Sequence, residues 1–221
     1  IFAAAYSLSK KIGLPLKMGL YNSGHDKFGS NQIHYIFPSL RNDKRILKHY
    51  ISFLKDISKN NTKINIYNEN YKQPNNKQTI LMTGYFQNFS FFKDYINEIK
   101  DIFTFNDDIV KNININHIKL LKENKTIGIH IRHGDMLRMM LQSKGYVKFP
   151  ILKKKYYVDC LEKIKNLKNY KILFFTDTAH SWINKSFIPN YKNSFLIENN
   201  KNDEDLYLMS QCDYLIISNS T

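Results

Sequence analysis

The sequence predicts an α/β protein whose strands and helices alternate most clearly in the second half of the chain. Three observations predict this. Short apolar runs rich in β-branched or aromatic residues occur at 126–131, 171–175 and 214–218, each of strand length. Segments of helical period at 155–167 and 203–211 separate them, so the order is strand, helix, strand, helix, strand. Each run also closes on polar residues: His130-Ile131-Arg132-His133-Gly134-Asp135, then Thr176-Asp177-Thr178, then Ser218-Asn219-Ser220-Thr221. In open parallel sheets ligands sit beyond the carboxyl ends of the strands, so these ends are the candidate binding edge.

From the amino end, Phe2, Ala5, Leu8 and Ile12 recur at helical spacing, and Gly13 stands where a helix stops. A short strand is expected over 14–20. Residues 21–30 form a turn-rich loop with His25 and Asp26. These two read either as an ordinary polar loop or as a base with its orienter. Leu47, Tyr50, Ile51 and Leu54 predict an amphipathic helix within 40–58, and Ile64 to Tyr67 a short strand in an Asn- and Lys-rich connection. Ile80 to Gln87 predicts a strand that runs into Tyr85, Phe86, Phe89, Phe91, Phe92 and Tyr95. Aromatics at this density read as core, although they also stack on sugars and bases. Helical period follows through Ile96, Ile99 and Ile102, and Asp107-Asp108 falls where acids offset a helix dipole. The texture changes near residue 112, which sets expected domains at 1–112 and 113–221. A helix to about Lys122 precedes the central strand. Residues 136–148 read as irregular, broken at Gly145, and placed to cover the site. In the helix at 155–167, Tyr156, Cys160 and Ile164 share one face.

Composition bounds the function. With 221 residues, 43% hydrophobic and 14% aromatic, the chain has enough apolar mass for a packed core, which excludes a disordered segment. Its apolar runs fall far short of the ~20 residues of a membrane helix. The net charge of +14, from 33 basic and 19 acidic residues, suits an acidic partner such as a nucleotide-sugar, or else describes a solvated lysine-rich surface. The lysines are scattered instead of concentrated on one element, so no nucleic-acid partner is expected; a basic nucleic-acid-binding module is the remotest alternative. Two cysteines, Cys160 and Cys212, have neither metal-ligand nor disulfide-framework spacing and read as buried free thiols. Asp203-Glu204-Asp205 has the acid-x-acid form of a manganese site, yet it opens a helix, where acids cap and favour the dipole. No metal is expected.

At the central strand end, Arg132 presents a planar fork that holds two phosphate oxygens and keeps its charge at any working pH. Asp135 is spaced to orient that fork. The plain alternative is a surface loop with one ion pair.

Residues in four places resemble the α-1,2-fucosyltransferases, glycosyltransferase family 11. His130-Ile-Arg132-His133-Gly-Asp135 stands for the family's His-x-Arg-Arg-x-Asp, with His133 in place of the second arginine. Residues 2–10 resemble the helix after its opening loop. Gly84-Tyr85-Phe86-Gln87, Phe91-Phe92-Lys93-Asp94 and Phe103-Thr104-Phe105 resemble its middle block. Leu208-Met209-Ser210-Gln211-Cys212 with Ser218-Asn219-Ser220-Thr221 resembles the start of its last motif. The chain opens inside a helix and stops inside that motif, so it reads as truncated at both ends.

The resemblance implies a GT-B-like enzyme of two Rossmann-like domains, with the nucleotide site in the carboxyl-terminal one. It implies inverting, metal-independent transfer of L-fucose from GDP-L-fucose to the 2-hydroxyl of a galactose-terminated glycan, with no cofactor beyond that donor. Arg132 would hold the diphosphate and Asp135 would brace it. His130 would approach the guanine, and His133 would stand among the donor-binding groups with less charge than an arginine. Asp177 or Thr178 would face the nucleoside, and Ser220 and Thr221 would donate to a phosphate. The general base is unassigned, with His25 and Asp26 the candidates. A protein O-fucosyltransferase and an inactive binding-only relative are the neighbouring alternatives. The expected address is the lumenal face of the Golgi membrane, through a segment outside this chain, if the source is eukaryotic; otherwise the protein is cytoplasmic or peripheral to the membrane.

Overall fold

The structure is a computed structural model that describes residues 2–16, 18–19, 35–40, 43, 45–47, 64–68, 79–83, 86, 88–134, 137, 141–142, 151–177 and 183–218. The chain divides into two compact units, Ile1–Asn106 and Asp107–Thr221.

In the first unit, helix α1 (Phe2–Ile12) buries Phe2, Ala4, Tyr6, Ser7 and Leu8. It ends where Gly13 takes a φ of +67°, a left-handed turn that glycine adopts without strain. Strand β1 is shorter than the expected 14–20 run: Met18–Gly19 pairs in parallel with β2, Ile46–Leu47. That pairing corrects the helix expected over 40–58, at least at its described residues. Helical spacing of apolar side chains had suggested that helix, but pairing with a distant segment overrides local period. Strands β3 (Ile64–Asn68) and β4 (Thr79–Thr83) also pair in parallel, from Ile64↔Thr79 to Asn68↔Thr83. The aromatic segment after β4 is core in part. Phe86 is buried with Ala4 and Leu8, and Phe92, Tyr95 and Phe103 pack around Phe2 and Tyr6, whereas Phe89 is exposed. Helix α2 (Ile96–Ile102) adds Ile99 to that cluster and Glu98, which accepts the Tyr6 hydroxyl at 2.5 Å and pairs with Lys10.

The second unit is a four-stranded parallel sheet with helices on both faces. Its strands are β5 (Lys125–Ile131), β6 (Tyr170–Thr176), β7 (Ser194–Ile197) and β8 (Tyr214–Ile216), in the order β7-β6-β5-β8. Helices α3 (Asp107–Asn112), α4 (Ile115–Glu123), α5 (Lys154–Glu162) and α6 (Asn202–Ser210) surround it. Alternation along β5 sends Ile127, Ile129 and Ile131 to one face, where they bury against Tyr157 and Leu161 of α5 and against Ile183 and Phe187. The other face, carrying Leu173 and Phe175, is covered by Ile113, by Leu121 of α4 and by Leu208 of α6. Burial on both faces is why β5 and β6 read as continuous apolar runs.

Two expectations are corrected here. The inward residues of α5 are Tyr157 and Leu161, one step round from the predicted Tyr156 face, although Cys160 and Ile164 still border the same cluster. Residues 134, 137, 141 and 142, the described part of the segment expected to be irregular or next to it, are helical. Strand β7 was not anticipated.

Candidate functional site

The strand order decides where a ligand would sit. The chain lays down β5, β6 and β7 in one direction, then returns to add β8 on the other side of β5. The crevice between β5 and β8 is therefore the point at which the order reverses, the customary ligand position in open α/β sheets. The sequence carries it there because β5 ends on His130-Ile131 and runs directly into Arg132-His133-Gly134.

Across that reversal, the Ser218 hydroxyl and His130 Nδ1 lie 3.2 Å apart. Ser218 is buried and His130 half-buried. Burial pushes the imidazole below its ordinary 6.5; the Asp177 carboxylate opposes that shift and the Arg132 guanidinium adds to it. His130 is thus held neutral near pH 7, with one ring nitrogen as donor and the other as acceptor. Arg132 follows the last residue of β5 and is half-buried.

On the opposite flank, β6 ends one residue before Asp177. Its carboxylate accepts the backbone N–H of His133 at 3.0 Å and that of Gly134 at 3.0 and 3.1 Å. The exit of β5 is therefore gripped from both neighbouring strands, by Ser218 through the imidazole and by Asp177 through the main chain. Earlier in β5, Gly128 packs close to the segment leading into β8: a Cβ there would come 2.8 Å from Leu215 Cδ1 and 3.0 Å from Cys212 Sγ, so a larger residue requires those side chains to shift. Tyr156 donates to the Ile217 carbonyl at 3.0 Å and ties α5 to the exit of β8.

Of the predicted site residues, the structure brings together His130, Arg132, His133 and Asp177. Asp135, Thr178, Ser220 and Thr221, and the loop residues His25 and Asp26, lie outside the described residues. Ser218 stands in the predicted binding edge but without a role of its own, and Tyr156 is expected only on the apolar face of its helix; their contacts to His130 and Ile217 are what the structure adds.

The acidic triplet serves its own helix. Glu204 accepts the Lys201 N–H at 2.9 Å, Asp203 the Glu204 N–H at 3.2 Å, and Asp205 the Asn200 side-chain amide at 2.9 Å. Among the described residues, no three His, Cys, Asp or Glu side chains converge as a metal site. Cys160 and Cys212 are free, and burial pushes the Cys212 thiol up to about 11, so it is no nucleophile at neutral pH. No helix among the described residues is long and apolar enough to cross a membrane.

Comparison with known proteins decides the family, because the model of glycosyl transferase family 11 matches residues 21–221. The chain belongs to glycosyl transferase family 11. It is 27% identical over 151 residues to the O-antigen biosynthesis glycosyltransferase WbnK of Escherichia coli. It is 26% identical over 156 residues to an alpha-1,2-colitosyltransferase of the same species. Each match covers 66% of this chain and 49% of the relative, so the chain spans about half the length of the curated relatives it matches. Within this family 11 chain, the matched region includes the whole parallel sheet and the His130–Asp177 constellation.

Proposed function

We propose that the protein is a GDP-fucose-dependent glycosyltransferase that joins L-fucose to the 2-hydroxyl of a terminal galactose, with inversion at the anomeric carbon. The observation that carries this reading is the family 11 match together with Arg132 and a neutral His130 at the carboxyl end of β5, beside the reversal in strand order. In such a transfer the bond from the anomeric carbon to the β-phosphate oxygen breaks as the acceptor oxygen bonds to that carbon. The acceptor proton leaves to a base. The diphosphate departs with growing negative charge, and fixed donors must meet it. Arg132 is suited to that task by its permanent charge and planar fork. His130, kept neutral by burial, is suited to a directed hydrogen bond with a base edge. His133, where the family pattern has an arginine, weakens the second cationic contact. On this reading Arg132 and the other fixed donors, and not a metal, meet the charge of the diphosphate, so activity is expected to persist in EDTA.

A second reading is favoured by one finding. One relative is named an alpha-1,2-colitosyltransferase, so the α-1,2 linkage could be kept while the sugar differs. The bacterial source of both relatives favours a bacterial polysaccharide acceptor, and a cytoplasmic or membrane-peripheral address over the Golgi one. The test is an assay of the purified protein with GDP-fucose and lactose, with and without EDTA, against the colitosyl donor. Fucosyl transfer to the 2-hydroxyl in EDTA supports the first reading. Transfer of colitose alone supports the second, and binding of neither donor overturns both.

A further inference from the structure

The β5–β6 ladder ends at the pair Ile131↔Thr176. Beyond it the amides of His133 and Gly134 donate to the side chain of Asp177, the first residue after β6. Its Oδ1 bridges both amides at 3.0 Å, and Oδ2 adds a contact to Gly134 at 3.1 Å. Arg132 lies between the last ladder residue and the two clamped amides, so its main chain is fixed on both sides. The strand order adds direction. Asp177 is rooted on β6, whereas the reversal crevice lies on the β8 side of β5, so the carboxylate holds the loop from the side away from the proposed ligand.

We propose that Asp177 is a positioning residue: through the His133 and Gly134 amides it holds the exit of β5 in the shape from which Arg132 grips a nucleoside diphosphate, and it does not itself read the base. This rests on the diphosphate reading given above for Arg132. The clamp is worth having because a loop ordered in advance does not have to be ordered when ligand binds.

The test compares Asp177→Ala and Asp177→Asn with the wild-type chain by two readouts. Amide hydrogen exchange without ligand should quicken at His133 and Gly134 in Asp177→Ala. In Asp177→Asn it should quicken less, because Oδ1 can still bridge both amides. Calorimetric titration with GDP and with inorganic pyrophosphate should show both weakened by the same factor, about tenfold or more in the alanine variant. Unchanged exchange at the two amides overturns the clamp. So does a loss confined to GDP, which would make Asp177 a nucleoside contact, or tighter binding of either ligand, which would make it a repulsive charge. If the alanine variant does not fold, the asparagine variant decides by the same criteria. If the wild-type chain binds neither ligand, the diphosphate reading fails, and with it the use proposed for the clamp; the exchange data then decide only whether the clamp itself exists.

Discussion

Replacing Gly128 with alanine tests the packing on which the reversal crevice depends. The added Cβ would lie 2.8 Å from Leu215 Cδ1 and 3.0 Å from Cys212 Sγ, with Cys212 Cβ at 3.5 Å. Leu215 is exposed and its methyl can swing away at little cost. Cys212 cannot yield as freely, because its thiol sits over the turn after α6 and donates to the Leu208 carbonyl at 3.5 Å. Overpacking of this kind costs about 1–3 kcal/mol. Relief of glycine's backbone entropy within a strand returns about 0.5–1 kcal/mol. The net loss then lies between about zero and 2.5 kcal/mol, a fall in Tm of up to about 10 °C for a unit of this size. Removing the thiol makes room, so Cys212→Ala should rescue the variant, with a coupling of about 1 kcal/mol in the double-mutant cycle. Thermal denaturation of the four proteins measures all of this. A cycle with no coupling between Gly128→Ala and Cys212→Ala would refute the close approach of β5 to the turn before β8.

Three further outcomes are expected. Because burial holds the folded pKa of His130 below 6.5, the unfolded chain binds its proton more readily. This contribution to stability is therefore complete above pH 6.5 and falls as the pH drops toward the depressed folded value, with a slope of at most about 1.4 kcal/mol per pH unit. His130→Gln should flatten that part of a urea-denaturation series, and Arg132→Gln should raise the His130 pKa followed by NMR. Asp213 accepts the Thr126 N–H at 2.7 Å at the start of β5. Its replacement by alanine should cost about 1–3 kcal/mol by urea denaturation, and by asparagine clearly less, since a carbonyl acceptor remains. Phe174, fully buried beneath Phe187, should cost about 3–5 kcal/mol on truncation to alanine, read by the same method.

Strands β5 and β6 were legible because both their faces are covered, which writes them as unbroken apolar runs. Helix α1 was legible from its spacing and from Gly13, and α6 from its acidic first turn. Strand β7 is harder to read because it is an edge strand of four residues, and its apolar run, Phe195-Leu196-Ile197, is only three residues long and set between polar residues. The phase of α5 was ambiguous because Tyr156 and Tyr157 are adjacent and chemically alike; only packing on Phe187 decides which turns inward. Of the site, Arg132 and His130 were readable as polar residues closing a strand. The contacts that hold them were not, because Ser218 is 88 residues from His130 and Asp177 is 43 from Gly134. Only parallel pairing with β8 and β6 brings those residues to the same edge.

The central claim is that the Arg132 guanidinium holds the donor's diphosphate. Its most direct test is calorimetric titration of GDP into wild-type and Arg132→Ala protein, beside transfer assays with GDP-fucose and equal melting curves for the two. The account predicts that the variant melts with the wild type, binds GDP at least about a hundredfold more weakly, as expected for a lost bidentate charge-assisted contact, and transfers no sugar. Undiminished GDP affinity and turnover in the folded variant would contradict it.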